Sequence, residues 1–483
     1  MADLIPEARP NVLWITTDQQ RFDTIAALGY PHMHTPNLDR IARSGVAFSR
    51  SYCQSPICTP SRASFMTGLY PSAVHQNRNG AAYFPAGYRD EPLLLSKMLA
   101  NGGYDCGLVG KLHLASNQRG PEKRSDDGFR YYQYSTRPDL PGFLEEDYHL
   151  WLMAKGQDPA TVLGRKANER HGLEGFLPPS QDDDGTPPTL HQAAWCAEKA
   201  TEFISMSRTN PWFLCLNFFH PHPPFDPPWE FYRRFDPAAL PRPQYRESDL
   251  ENQRRLSGVG FQTDARRPDE RDIQLVRAAY FAMIELVDEQ IGKVLDVLAE
   301  SGQLQHTLII FNSDHGEMLG DHGLTSKGCR FYEGLVRVPL IWSWSQLLKQ
   351  GLVNDTLVEL TDIVPTVLDI AGLDIPRQMH GRSLLPILTG QSLGHEHREH
   401  VRSEYYGAQG GEAMFGTMYR DLRWKLVVYH GHPCGELYDL DTDPNEFNNL
   451  WDDSNFQGVK LKLMKASLDS SVLAMDIGPP LSL

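Results

Sequence analysis

Apolar positions along this chain recur with two periods. Short, nearly continuous β-rich runs alternate with stretches in which every third or fourth residue is apolar. Val12 to Thr16 reads as a buried strand. Thr35-Pro36 then opens a helix, with Thr35 as its cap, Pro36 in the first position, Leu38, Ile41 and Ala42 on the apolar face, and Gly45 as its stop. Leu93 to Leu99 predicts a helix ended by Gly102-Gly103, and Cys106 to Val109 a strand. Thr189 to Met206 is helical in pattern, and Trp212 to Phe219 is strand-like. The longest helix begins near Asp272, where Ile273, Val276, Tyr280, Met283, Val287, Ile291, Val294 and Leu298 keep the helical spacing. Strands at Thr307 to Phe311 and Val338 to Trp342 follow.

This alternation predicts an α/β fold: a large, mostly parallel central sheet with helices on both faces. Ser116 to Pro188 breaks the pattern with Pro-Gly, Asp-Asp-Asp-Gly and Pro-Pro signals and reads as inserted loops with short helices, and Pro223 to Arg271 is a second irregular stretch. From about His400 the character changes. Val401 to Tyr406, Met414 to Tyr419, Trp424 to Tyr429 and Glu436 to Leu440 predict a small antiparallel sheet, and Phe456 to Leu468 a helix behind it. The expected division is a main domain over 1–399 and a smaller C-terminal subdomain over 400–483.

Composition narrows the function. With 46 basic against 61 acidic residues the formal net charge is −15, which argues against general nucleic-acid binding. An anionic substrate would need local positive charge to overcome that field. No run reaches the length of a membrane span. The first ten residues lack the apolar core of a signal peptide, so the chain as given reads as cytoplasmic, or periplasmic if a leader has been removed. The seven cysteines are irregularly spaced and read as reduced thiols.

Reactive side chains cluster where the predicted strands end. Asp18 and Gln19 follow the first strand. Lys111 and His113 follow the strand at 106, His222 the strand at 212, and Asp314 and His315 the strand at 307. Ligands of open parallel sheets bind outside the carboxyl ends of the strands, so four such ends predict one site. Asp18, Gln19, Asp314 and His315 offer two carboxylates, an amide oxygen and an imidazole. That set suits one hard divalent cation, Ca2+ or Mn2+ with Mg2+ also compatible. Taken singly, each of these pairs is equally well read as a turn or a cap.

Cys58-Thr59-Pro60-Ser61-Arg62 adds a nucleophile. Pro60 and Ser61 favour a helix start just after Cys58, placing the thiol where free amides and the helix dipole favour an anion. A thiol of lowered pKa is the simple reading. A cysteine phosphatase is a poor match, because its phosphate loop separates Cys and Arg by five residues and this segment has three.

The Cys-any-Pro-Ser-Arg spacing resembles the signature of the type I sulfatases of the alkaline phosphatase superfamily. Further blocks are similar: Asn11 to Gln19, Thr35 to Asp39, Gly110-Lys111-Leu112-His113, Pro221-His222-Pro223-Pro224-Phe225, Ser313 to Glu317 with Gly320 to Gly323 and Lys327-Gly328, and Leu437 to Leu440 with Asp443-Pro444. The resemblance implies that Cys58 is oxidised to formylglycine by a formylglycine-generating or sulfatase-maturating enzyme, and that the hydrated aldehyde attacks a sulfate ester of a small molecule or carbohydrate. It implies that Arg62 orients the diol and that Lys111 and Lys327 neutralise sulfate charge. His222 or Lys327 protonates the leaving oxygen, and His113 removes the proton of the second hydroxyl. Asn79 is a further candidate for substrate contact, and a homo-oligomer is compatible with the family. Gln19 and His315 depart from the commoner Asp and Asn and resemble the phosphonate monoester hydrolases, whereas Lys111 and His113 are the sulfatase form. Sulfate esters are therefore the first expectation, and phosphonate monoesters or phosphodiesters the second. A binding protein whose Cys58 remains a thiol is the reading from another class.

Overall fold

The computed structural model describes residues 9–74, 93–115, 121–124, 126–136, 146–163, 178–181, 185–394, 397–408 and 414–475. Its strands run in chain order β1 (Asn11–Thr17), β2 (Gly45–Phe48), β3 (Ser51–Tyr52), β4 (Asp105–Gly110), β5 (Tyr131–Tyr134), β6 (Trp212–Asn217), β7 (Thr307–Ser313), β8 (Leu340–Ser343), β9 (Leu352–Asn354), β10 (Val358–Glu359), β11 (Val401–Tyr406), β12 (Phe415–Arg420), β13 (Trp424–His430) and β14 (Gly435–Asp439). Eight form the central sheet, in the order β5-β4-β6-β1-β7-β8-β2-β9. The block from β5 to β7 is parallel throughout, while β8 runs antiparallel to both β7 and β2.

The two-sided burial that the apolar runs predict is visible along β1. Val12 and Trp14 join one core layer with the helices Cys58–Thr67, Leu95–Asn101 and Ile363–Ile370. Leu13 and Ile15 join the opposite layer with Pro36–Arg43, Gln192–Ser205 and Ile273–Glu300. Two-sided cover is what a parallel sheet requires. Among the described residues no helix is long and apolar enough to cross a membrane.

Strands β11 to β14 form a separate antiparallel sheet. Its inner residues Val401, Tyr405, Met418, Val427 and Tyr429 share the first core layer, and the helix Gln457–Leu473 covers the outer face through Leu463.

Three local expectations are corrected. Gly45 does not stop the first helix. That helix closes at Ser44, and Gly45 begins β2, where a Cβ would stand 1.9 Å from the Trp342 carbonyl oxygen. Thr35 does not cap the helix with its hydroxyl, which donates to Asp39 Oδ1 at 3.1 Å. The free amides of Asn37 and Leu38 are instead taken by Asp288 of the long helix, at 3.1 and 2.7 Å. Finally, β5 lies inside the stretch read as loops and forms the sheet edge.

Candidate active site

Four adjacent strands deliver the site. In sheet order β4, β6, β1 and β7 end at Gly110, Asn217, Thr17 and Ser313. Thr17 pairs with Ser313, so Asp18 and Asp314 are both one residue beyond the last rung. Gly110 has φ +96°, and a Cβ there would stand 1.9 Å from the Asn217 carbonyl oxygen. Only glycine lets the two strands close at that point, and the next residue is Lys111. The Lys111 carbonyl is fixed by Asn217 Nδ2 (2.8 Å) and Arg62 Nη1 (3.0 Å).

Cys58 opens a ten-residue helix in which every residue is buried. Its sulfur lies 2.9 Å from Lys327 Nζ, 3.1 Å from His315 Nε2 and 3.6 Å from Asp18 Oδ1. Ser61 donates to the Asp314 carbonyl at 2.5 Å, tying the helix start to the end of β7. Arg62 Nε binds Asp314 Oδ2 at 2.9 Å, and its Nη2 is 3.4 Å from Asp18 Oδ2. Lys111 Nζ reaches Asp18 Oδ2 at 2.5 Å.

Two buried carboxylates thus face three buried cations, Arg62, Lys111 and Lys327. Burial alone pushes the Asp18 carboxyl up, but Lys111, His222, Lys327 and Arg62 together hold it well below the ordinary range. Burial and Asp18 likewise raise the Cys58 thiol, and Lys327, Lys111 and His315 outweigh them, so it lies below its ordinary value. The local field favours an anion at position 58, against the negative charge of the whole chain.

Asp18, Cys58, Asp314 and His315 bring one ligand atom each within 4.8 Å of one another. Asp314 Oδ1 accepts the amides of Gln19 and His315, both at 2.9 Å, which fixes its carboxylate plane. His315 Nδ1 donates to the Gly316 carbonyl at 2.8 Å, so Nε2 is the nitrogen that faces the cluster. Burial, the largest influence, lowers this imidazole, and Asp314 and Cys58 together outweigh it, so the pocket favours positive charge at Nε2, carried by a proton or by a metal. Gln19 has φ +70° and directs its Oε1 to Lys327 Nζ at 2.7 Å. The two carboxylates and the imidazole nitrogen of that cluster make a donor set that fits a divalent metal ion.

His113 and His222 stand beside this cluster. His113 has φ +59°, is buried, and its Nδ1 has no hydrogen-bond partner among the described residues. Burial, then Lys111 and Arg62, hold its imidazole well below the ordinary value. His222 is half-buried and donates from Nδ1 to the Pro223 carbonyl at 2.7 Å, so in the neutral ring the lone pair is on Nε2. Burial, then Lys327, depress it strongly. Asn79 lies outside the described residues. Asp321 and His322 do not join the site: Asp321 pairs with Arg21 at 2.8 Å and His322 with Asp249 at 3.2 Å.

Sequence reasoning missed the groups that hold the site from behind. Glu122 accepts the backbone amides of His113 (2.5 Å), Leu114 (2.7 Å) and Ala115 (2.8 Å), pinning the turn that carries His113. Tyr280 donates to the Gln19 carbonyl at 2.7 Å and accepts the Arg21 amide at 2.9 Å. Glu317 receives the Gln19 side-chain amide. A second group, His191, His220 and Asp226, also lies within 4.8 Å, but there His191 Nδ1 accepts the Ala193 amide at 3.3 Å as the cap of its helix.

The model of the family described as Sulfatase matches residues 10–373. This chain is a member of the sulfatase family. A second model, N-sulphoglucosamine sulphohydrolase, C-terminal, matches residues 320–472. The chain is 28% identical over 460 residues to an arylsulfatase of Clostridium perfringens, covering 92% of this chain and 90% of that one. It is 30% identical over 463 residues to a choline-sulfatase of Rhizobium meliloti, covering 92% and 82%. Among solved structures, the phosphonate monoester hydrolase of Agrobacterium radiobacter superposes with a TM-score of 0.80 at 27% identity, over 97% of this chain and 96% of that one. The family and its relatives make this protein a sulfuric ester hydrolase of the alkaline phosphatase superfamily.

Proposed function

We propose that this sulfatase hydrolyses an aryl or carbohydrate sulfate ester through a formylglycine made from Cys58, with one divalent cation, Ca2+ or Mn2+, at Asp18, Gln19, Asp314 and His315. The observation that carries this reading is the position of Cys58: at a helix N-terminus, within 3.1 Å of both Lys327 and His315. Held by those residues, the cation would supply positive charge that favours an anionic nucleophile and polarises the ester. Oxidation of Cys58 requires a formylglycine-generating or sulfatase-maturating enzyme as partner.

The residues divide the work by position. Arg62, tied to both acids, orients the hydrated aldehyde at position 58. One of its hydroxyls loses its proton to water, its oxygen attacks sulfur, and the bond from sulfur to the alcohol or phenol oxygen breaks. Lys111 and Lys327 stabilise the charge redistributed over the sulfuryl oxygens. Lys327, or His222 once it has taken up a proton at Nε2, delivers a proton to the departing oxygen. His113, kept neutral by burial, takes the proton of the second hydroxyl. The carbonyl reforms, sulfate leaves, and water rehydrates the aldehyde. The net change is ester plus water to alcohol plus sulfate.

A second reading has its own support. Gln19 and His315 resemble the metal site of phosphonate monoester hydrolases, and the Agrobacterium radiobacter enzyme matches this fold along nearly its whole length. Both substrate classes carry one negative charge on the reacting group, so the site can admit both. A panel of aryl sulfate, carbohydrate sulfate, phenyl phosphonate monoester and phosphate diester, each at equal concentration, separates the two. The expected result is the highest kcat/KM for a sulfate ester. A phosphonate or diester hydrolysed at least ~10-fold faster, a difference of only about 1.4 kcal/mol in transition-state binding, replaces the first reading by the second.

A further inference from the structure

Gln19 is neutral where a metal site gains most from charge, and its amide has two chemically different ends. One end must meet an acceptor and the other a donor. Nε2 donates to Glu317 Oε2, and Oε1 accepts from Lys327 Nζ at 2.7 Å. An ionised carboxylate only accepts and an ammonium only donates, so this is the single orientation that satisfies all three groups. Glu317 itself cannot turn away. It is fully buried, and its Oε1 accepts the amides of Leu319 (3.0 Å) and Ser326. Its carbonyl accepts Arg21 Nη1 at 2.7 Å. The Gln19 backbone is equally constrained, with φ +70°, its amide on Asp314 and its carbonyl on Tyr280. The one freedom left is which end of the amide faces the cation site.

We propose that Glu317 is the positioning residue that decides it. By accepting only from Nε2, Glu317 turns the Gln19 oxygen inward and makes a neutral side chain a metal ligand. The inference rests on the ligand set proposed above. It also accounts for the departure at position 19: the negative charge lies one side chain further back, on Glu317, rather than on the metal-facing residue.

The test is an exchange of the two residues, read by Mn2+ affinity at pH 8 in titration calorimetry. Glu317→Gln keeps an oxygen for the amides of Leu319 and Ser326 but turns an NH2 towards the NH2 of Gln19. Gln19 must then flip and present nitrogen to the cation. Its Mn2+ affinity is expected to fall by about 10- to 100-fold. The double variant Gln19→Glu/Glu317→Gln inverts the hydrogen bond, since the amide introduced at position 317 now donates and position 19 again offers oxygen. Affinity is expected to return to within a few-fold of the original protein. A carboxylate at position 19 adds charge of its own, so the rescue counts only if the exchange also binds Mn2+ more tightly than Gln19→Glu alone, which a purely packing role for Glu317 does not predict. If the exchange binds Mn2+ no better than Glu317→Gln, or if Glu317→Gln binds as tightly as the starting protein, the proposal is overturned. Should Glu317→Gln alone fail to accumulate, the exchange is compared with Gln19→Glu, which sets two carboxylates face to face. Equal affinities there also overturn it. Gln19→Ala separates this inference from the ligand assignment. Unchanged Mn2+ affinity in that variant removes Gln19 from the ligand set, whereas weakened affinity beside an unaffected Glu317→Gln removes only the role of Glu317.

Discussion

The two halves of the site are built differently. The half on β1, β7 and the Cys58 helix is saturated: the carboxylates of Asp18 and Asp314 are bound by Arg62, Lys111 or backbone amides, and none is open to solvent. The half on β4 and β6 is looser. Among the described residues His113 leaves Nδ1 without a partner, and His222 is half-buried with only Nδ1 tied down. The first half holds charge in place. The second keeps neutral imidazoles at hand for protons. Groups that must not move are tied by several bonds, and groups that must exchange a proton keep a free nitrogen.

Substitutions should rank accordingly. Cys58→Ala removes the reacting atom itself, and kcat for any sulfate ester should fall on the order of 10⁴-fold or more, with the melting temperature little changed. Residual turnover near that of the original protein would place the nucleophile elsewhere. Asp314→Asn comes next. It keeps the shape of the side chain but removes the charge that faces Arg62 and the cation, so metal content by elemental analysis should drop and kcat fall about 10²- to 10³-fold. Undiminished metal content would show that the saturated half is an ion-pair network alone.

The looser half predicts the smallest effect and a distinct pH signature. His113→Ala should lower kcat about 10²-fold while metal affinity stays unchanged. His113 must be neutral to accept a proton, and burial with Lys111 and Arg62 disfavours its charged form. Its pKa is therefore depressed, the neutral base persists into acid, and the acidic limb of the kcat profile should lie well below the ordinary imidazole value of 6.5. In His113→Ala that limb should disappear. A limb at or above 6.5 would assign the base to another group.

The same contrast explains what the sequence made legible. β1 and β7 were readable because a strand buried on both faces must be apolar along its length, and the polar residue that ends such a run is conspicuous. The strand ends therefore located Asp18, Lys111, His222 and Asp314 before any geometry was known. β2 was hidden because Gly45 serves a close approach to Trp342 yet has the look of a helix stop. β5 was hidden by the Gly and Asp residues around it. Glu122 and Glu317 were invisible as functional groups for another reason: each acts on backbone amides or on an amide side chain, and no spacing rule marks a carboxylate whose partners are peptide groups.

The burial of all ten residues from Cys58 to Thr67 has a consequence for how the protein is made. A modifying enzyme must take hold of the peptide around Cys58, and in the folded protein that residue is 1% exposed with the whole helix docked against the sheet. The oxidation proposed here therefore belongs to biosynthesis, while the segment is still extended. β7 comes much later in the chain, and only its arrival, through Ser61 and Arg62 binding Asp314, closes the pocket. A host whose maturation enzyme is scarce would release folded, metal-competent molecules whose thiol is permanently out of reach, and adding that enzyme afterwards would not repair them.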